Sequence, residues 1–392
     1  MGHSLEVLRF LVGHGARLHM PRHPARGDPF AHHSSTAQSV YAFLLDHGAP
    51  VDIVDIHGST PLHDAVLRVR PRPVDLLPAR GADTRAVDHL GRTPPGTALR
   101  LPGFGTAQRN ARKEITTMLE NAGAPAHVGH PVTEGGPLPI DMAAVRRVAE
   151  ATRARLSEAC RAAGIPDDSA WLAERVRPEY ESYQAFVAEL RHDCDPDHVP
   201  FLPKLCAEAL GDDARTNRSL IGDQEVGEPF FHHGDLIVKG HLDVMAPFVV
   251  TGSLTVDGCM EDCGPDSVVA VDGDVTARAV HTDGEMYVGG DIEAGVVYGC
   301  YNDNTLQART IRARLVIEDE HCTVAEVEAE THFDLDDFQQ GYGDGVQERL
   351  RELLVDEVFS NEEDEEMLDR TLLFARLREG EKVFRADGAA SD

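Results

Sequence analysis

The chain has 392 residues, of which 42% are hydrophobic and 27% charged, and its formal net charge is −30. This composition is ordinary for a folded protein of two or three domains, so it excludes global disorder. No run approaches the roughly 18 apolar residues of a membrane helix, and the N-terminus lacks a signal-peptide pattern. We therefore predict a cytoplasmic protein without a transmembrane segment, and the excess of acid disfavours nucleic acid as a partner.

A 33-residue self-similarity marks the first third of the chain. Gly48 follows a Leu-Leu helix end, Gly81 follows another such end one period later, and Gly15 lies one period earlier. Glycine after a helix end provides a left-handed cap, while Thr60 and Pro61 supply an N-cap oxygen and a proline for the first helical position. Each unit is predicted to be a loop, a helix, a turn and a helix.

Residues 55–63 carry the Thr-Pro-Leu-His signature of the ankyrin family, and residues 88–94 repeat its first part. The N-terminal part therefore resembles an ankyrin-repeat array over residues 1–125, with about four repeats, the first one truncated. The resemblance implies an α-solenoid that binds proteins through its hairpin tips and concave helix face. Pro78 departs from the pattern, because it stands inside a predicted helix that it should bend or shorten.

Two consecutive hairpin tips are the candidate binding site. Aligning the repeats places eight residues at these tips: Ile53, Val54, Ile56, His57, Ala86, Val87, His89 and Leu90. Apolar tips are unusual in a protein of this charge, which favours a contact surface. The alternative is that Ala86 and similar residues pack inside the stack.

The middle of the chain, residues 137–220, has helical periodicity and is predicted to be a helical linker domain. It carries no motif that indicates chemistry. The seven cysteines of the chain are odd in number and lack a paired Cys-x-x-Cys framework, which predicts reduced thiols. Cys259 and Cys263 lack the second ligand pair that structural zinc needs, so we predict no metal and no cofactor.

A second, different repeat follows the helical part. Residues 234–238, Gly-Asp-Leu-Ile-Val, are echoed at residues 252–256, 273–277 and 290–294, at intervals of 18, 21 and 17 residues. Short alternating segments bounded by Gly-Asp are typical of half-buried strands that leave a turn. We predict a single-stranded parallel β-helix, a β-solenoid of about five coils over residues 231–324.

This region resembles the bactofilin-like, polymer-forming β-helix proteins of bacteria, and also bacterial Gly-Asp-Leu-x-Val solenoids of unassigned role. The first resemblance implies self-association through the solenoid. Residues 334–385 are predicted to form an acidic helical cap on the last coil, and residues 386–392 a disordered tail. The whole chain is thus predicted to be a multidomain α + β repeat protein: an ankyrin α-solenoid, a helical middle segment, and a β-helix with a C-terminal helical cap.

The net charge is unevenly placed, at about +2 for residues 1–136, about −4 for residues 137–220 and about −28 for residues 221–392. Such an acidic half would steer a basic partner toward it, although solubility alone explains it equally well.

An enzyme is disfavoured. Hexapeptide acyltransferases and γ-type carbonic anhydrases resemble the solenoid in fold, and their use of histidines draws attention to His232, His233, His241 and His281. Their strict six-residue repeat is absent, however, and adjacent histidines on a regular strand point to opposite faces.

Three function classes are left. The favoured one is a non-enzymatic adaptor that binds a protein partner through the ankyrin tips and concave face. The second is a self-assembling, bactofilin-like scaffold. The third is an acidic immunity protein that neutralises a basic toxin, which rests on charge and analogy.

Overall fold

A computed structural model describes eleven stretches of the chain. They are residues 37–90, 92–99, 105–124, 136–167, 169–191, 198–263, 267–300, 304–319, 321–334, 343–362 and 365–385. The chain divides into two compact units, one formed by Met1–Val128 with Gly343–Asp392 and the other by Gly129–Tyr342. The predicted truncated first repeat and the predicted disordered tail lie outside the described residues.

The described N-terminal part of the first unit is helical. Its helices are α1 (Ala37–Asp46), α2 (Pro61–Leu67), α3 (Pro71–Ala79), α4 (Pro94–Leu99) and α5 (Gly105–Asn121). Proline begins α2 at its first turn, as the sequence predicted. Pro78 lies inside α3, and the helix ends one residue later.

The 33-residue repetition is present in the backbone. After α1 the amide of Ala49 donates to the carbonyl of Leu44 (3.0 Å), and after α3 the amide of Ala82 donates to Leu77 in the same way (3.0 Å). The glycine before each alanine has a φ of +87° and +90°, respectively, which favours glycine. Equivalent helices therefore end in the same left-handed turn one period apart.

In the described residues of the second unit, four α-helices precede a parallel β-solenoid. The helices are α6 (Met142–Ala163), α7 (Trp171–Arg175), α8 (Tyr183–Ala188) and α9 (Phe201–Leu210). Asp141 caps α6 by accepting from the amides of Ala143 (2.9 Å) and Ala144 (3.1 Å). The rings of Tyr183 and Phe231 stack at 4.6 Å and join the helices to the solenoid.

The solenoid has about six turns in residues 218–334. Its strands are β1 (Arg218–Ile221), β2 (Gln224–Val226), β3 (Phe230–His232), β4 (Leu236–Lys239), β5 (Leu242–Val244), β6 (Phe248–Val250), β7 (Leu254–Asp262), β8 (Val268–Val271), β9 (Val275–Thr282), β10 (Glu285–Val288), β11 (Ile292–Cys300), β12 (Thr305–Asp319) and β13 (Cys322–Asp334). All pairs between them are parallel and place equivalent residues of successive turns side by side. One such column runs through Leu236, Leu254, Val275, Ile292 and Ile311, all fully buried.

The limits of the solenoid differ from the prediction of five coils over residues 231–324. The first turn begins at Arg218 and the last strand ends at Asp334. Sequence reading missed the first turn because Thr216 and Asn217 precede β1, where the Gly-Asp pair precedes β4, and because its short strands bury single apolar residues such as Leu220 and Val226. The predicted solenoid ended at residue 324, inside β13, because this long strand contains no glycine turn that would mark a further coil.

The C-terminal segment contains α10 (Gly343–Leu353), an antiparallel hairpin of β14 (Phe359–Glu362) and β15 (Glu365–Leu368), and α11 (Arg370–Glu379). The C-terminal helix agrees with the prediction, and the role of the segment as a cap on the last coil stays a prediction. The segment groups with the N-terminal helices in one compact unit, within which Asp369 is hydrogen-bonded to His57. None of the eleven helices in the described part of the chain is long and apolar enough to cross a membrane.

Candidate protein-interaction site

The two loops that contain the predicted hairpin tips are built by the same hydrogen bonds. The carboxylate of Asp55 accepts from the amides of His57 (2.8 Å) and Ser59 (2.9 Å). One period later, Asp88 accepts from the amides two and four positions after it, both at 2.9 Å. An aspartate that binds nearby amides stabilises a tight turn, so both tips have a defined backbone shape.

The two tips are joined to each other. The amide of His89 donates to the carbonyl of His57 (2.9 Å), which links the loops directly. Gly58 has a φ of +73°, and a Cβ there would lie 2.6 Å from the ring of His89, so a larger residue would separate the tips. Behind them, Nε2 of His63 donates to the carbonyl of Arg92 (2.9 Å) and fixes the first helix of one repeat to the next loop.

The eight predicted tip residues differ in exposure. Val54, Val87 and His89 are exposed; Ile53, Ile56, His57 and Ala86 are half-buried; Leu90 is buried. Ile53 packs against the hydrophobic core of the unit. Leu90 and part of Ile53 therefore pack inside the stack, as the alternative interpretation expects. Val54 and Val87 present their side chains to solvent.

His57 has a specific partner within its own unit. Its Nε2 lies 2.7 Å from Oδ2 of Asp369, whose side chain is only 10% exposed. Burial disfavours a charge on His57, but the hydrogen bond and negative charge of Asp369 outweigh it and raise the pKa of His57 above its usual value. Asp369 also accepts from the amide of Leu372 (3.1 Å) as the N-cap of α11. His57 thus fastens the C-terminal segment to the first tip, a role that sequence reading did not find.

The four solenoid histidines do not converge on one site. His233 binds a threonine hydroxyl (2.7 Å) and a backbone carbonyl (3.1 Å), and His232 binds a different carbonyl (3.1 Å). His241 accepts from a backbone amide (3.0 Å), and His281 lies 3.9 Å from Glu261. Within the described stretches, no group of three or more His, Cys, Asp or Glu residues could hold a metal ion.

No protein-family model matches the chain, and no curated protein is significantly similar to it in sequence. The candidate site is therefore defined by its residues and their geometry.

Proposed function

We propose that the chain is a non-enzymatic protein-interaction module, an adaptor that binds its partner through an ankyrin-like N-terminal array. The observation that carries the proposal is the pair formed by Val54 and Val87. Their exposed fractions are 55% and 60%, and they occupy the same position in two hairpins that are hydrogen-bonded to each other. One exposed valine is ordinary, but its recurrence on adjoining tips gives an apolar surface of the kind that protein contacts use.

The local geometry supports the ankyrin resemblance. In residues 60–63, the Thr-Pro-Leu-His segment, the hydroxyl of Thr60 lies 2.9 Å from Nδ1 of His63, and the other ring nitrogen of this histidine binds the next loop. The motif therefore orders both its own helix and the following hairpin. Because the tips are held this firmly, a partner would meet a preorganised surface and lose little entropy in ordering it.

The charge of the other unit favours a basic partner. Residues 218–334 contain 23 acidic and six basic residues. A field of this sign accelerates encounter with a positively charged protein and repels nucleic acid.

The double substitution Val54→Asp/Val87→Asp tests the site. Both side chains are mostly in solvent, so the fold should be retained, while two charges on the apolar tips should abolish partner capture. Ile53 is unsuitable for this test because its side chain packs on the core. The measurement is quantitative affinity capture from extracts of the source cells, with the wild-type chain and each variant as bait.

A matched control is Leu67→Asp/Ile221→Asp, since these apolar side chains are 60% and 76% exposed away from the tips. A partner that is captured by the wild type and this control, but not by the tip variant, supports the proposal. Retention of every wild-type partner by the tip variant contradicts it.

A further inference from the structure

The last strand of the solenoid is paired on one side only within the described residues. β13 is 13 residues long and pairs in parallel with β12. No strand in the described part of the chain pairs with its other side. An edge strand presents backbone N–H and C=O groups at every second residue, which is the template for adding another strand. We call residues 323–332 of this strand the open edge.

The hydrophobic core is incomplete at the open edge. Val327 continues the buried column of Ile311, which is fully buried, but Val327 itself is only partly buried. Ala325 and Ala329 are in the same condition. A further strand with apolar residues at these positions would extend the column and bury more apolar surface.

The outward side chains near this end alternate in sign from turn to turn. Arg312 on β12 binds Asp291 of the preceding turn (2.6 Å) and Glu328 of the following turn (2.8 Å). Arg314 pairs with Glu330 in the same way (3.2 Å). The order is acid, base, acid, and β13 ends it with exposed glutamates.

This order determines which strand the open edge can accept. Opposite charges directly across from each other stabilise neighbouring strands, and like charges destabilise them. A second copy of β13 would place glutamates opposite glutamates. A segment with Arg or Lys opposite Glu328 and Glu330 continues the order instead.

We propose that the open edge binds an extended basic segment of a partner protein, which adds to the solenoid as a further strand. In this added strand, two basic residues separated by one position lie opposite Glu328 and Glu330. The residue before them is apolar, faces the core and lies opposite Val327. This surface shares no residue with the hairpin tips, so it is a second interaction site that stands or fails separately from them.

The chain itself supplies a probe. A synthetic peptide of residues 308–317 (Ala-Arg-Thr-Ile-Arg-Ala-Arg-Leu-Val-Ile) carries the β12 pattern that already fits β13 in this register. Binding of the labelled peptide to the full-length chain is measured by fluorescence anisotropy at physiological salt. We expect saturable binding that weakens about tenfold in Glu328→Gln/Glu330→Gln.

Two controls separate strand addition from general attraction to an acidic protein. The variant Glu228→Gln/Asp257→Asn removes two exposed acids elsewhere on the solenoid, and it should bind the peptide like the wild type. A second peptide of the same composition places its three arginines together (Arg-Arg-Arg-Thr-Ala-Ala-Ile-Leu-Val-Ile), so that no register sets arginines opposite Glu328 and Glu330 with an apolar residue between them, and it should not bind saturably.

Absence of saturable binding by the first peptide overturns the proposal. Equal binding of both peptides, or equal weakening in both protein variants, overturns it as well, because the attraction would then depend on net charge alone. None of these results alters the outcome expected for Val54→Asp/Val87→Asp.

Discussion

Replacing Asp262 with Asn should stabilise the solenoid at pH 8 and remove the part of the pH dependence of its stability that this carboxyl group contributes between pH 4 and 7. Asp262 is fully buried at the end of β7, where its carboxyl group accepts from the hydroxyls of Thr282 (3.0 Å) and Ser267. Burial raises the pKa of this carboxyl group from 3.8 to about 7, because desolvation outweighs the two hydrogen bonds, and the nearby charges of Asp283 and Glu285 add to the rise.

The direction in which stability changes with pH follows from proton binding. Between the unfolded and folded pKa values the native protein holds a proton that the unfolded chain has lost, so stability falls as pH rises through this window. Each pKa unit corresponds to about 1.4 kcal/mol, so the loss at pH 8 is on the order of 4 kcal/mol as an upper limit. Asparagine resembles the protonated acid in shape and cannot ionise.

Urea denaturation of wild type and Asp262→Asn at pH 5 and pH 8 measures the effect. The variant should gain several times more stability, relative to wild type, at pH 8 than at pH 5. The exposed Asp257→Asn serves as the control and should show no such difference. A variant less stable than wild type at pH 8 would show that Asp262 is ionised and well solvated by its hydroxyl partners.

Replacing Gly234 with Ala should disrupt the first two turns of the solenoid. Gly234 has a φ of +123°, and a Cβ there would lie 1.9 Å from the carbonyl oxygen of Thr216 in the preceding turn. Both groups are backbone and are held by the stacking of the turns, so neither can move without breaking strand pairs. We expect a loss of more than about 4 kcal/mol, which is exceptional for one methyl group.

Gly222 provides the matched control in the same region. Its φ is +80°, but no atom lies within 4 Å of the Cβ position, so Gly222→Ala adds only backbone strain of about 1–2 kcal/mol. Thermal and urea unfolding of the two variants, followed by circular dichroism, measures the difference. Similar losses in both would mean that the turns are not stacked as closely as the structure has them.

The sequence predicted the solenoid because its inward positions recur beside Gly-Asp turns. Glycine is needed at these turns because a Cβ there would lie too close to the neighbouring turn. The Gly-Asp pair before Leu236 is one example. The limits were missed where the signature is absent, before β1 and along β13. The Thr-Pro-Leu-His segment predicted the loops and helix starts of the N-terminal part because local hydrogen bonds fix both.

Placement of the C-terminal segment could not be read from sequence. Amphipathic helices indicate that an apolar face is covered, but not by which element. The partner of Asp369 is His57, far away along the chain, and no local pattern connects them. The candidate site was found only in part, because the period locates both tips, whereas the turns built by Asp55 and Asp88 decide which side chains reach solvent.

We propose that the chain acts as a binding module for other proteins and does not polymerise. Sedimentation velocity of the purified full-length chain, over a range of protein and salt concentrations, tests it most directly. The acidic residues of the open edge oppose self-association at low salt, and screening at high salt removes this opposition. We predict one discrete species throughout, and reversible, salt-promoted growth to large species would instead identify the solenoid as a self-assembling scaffold.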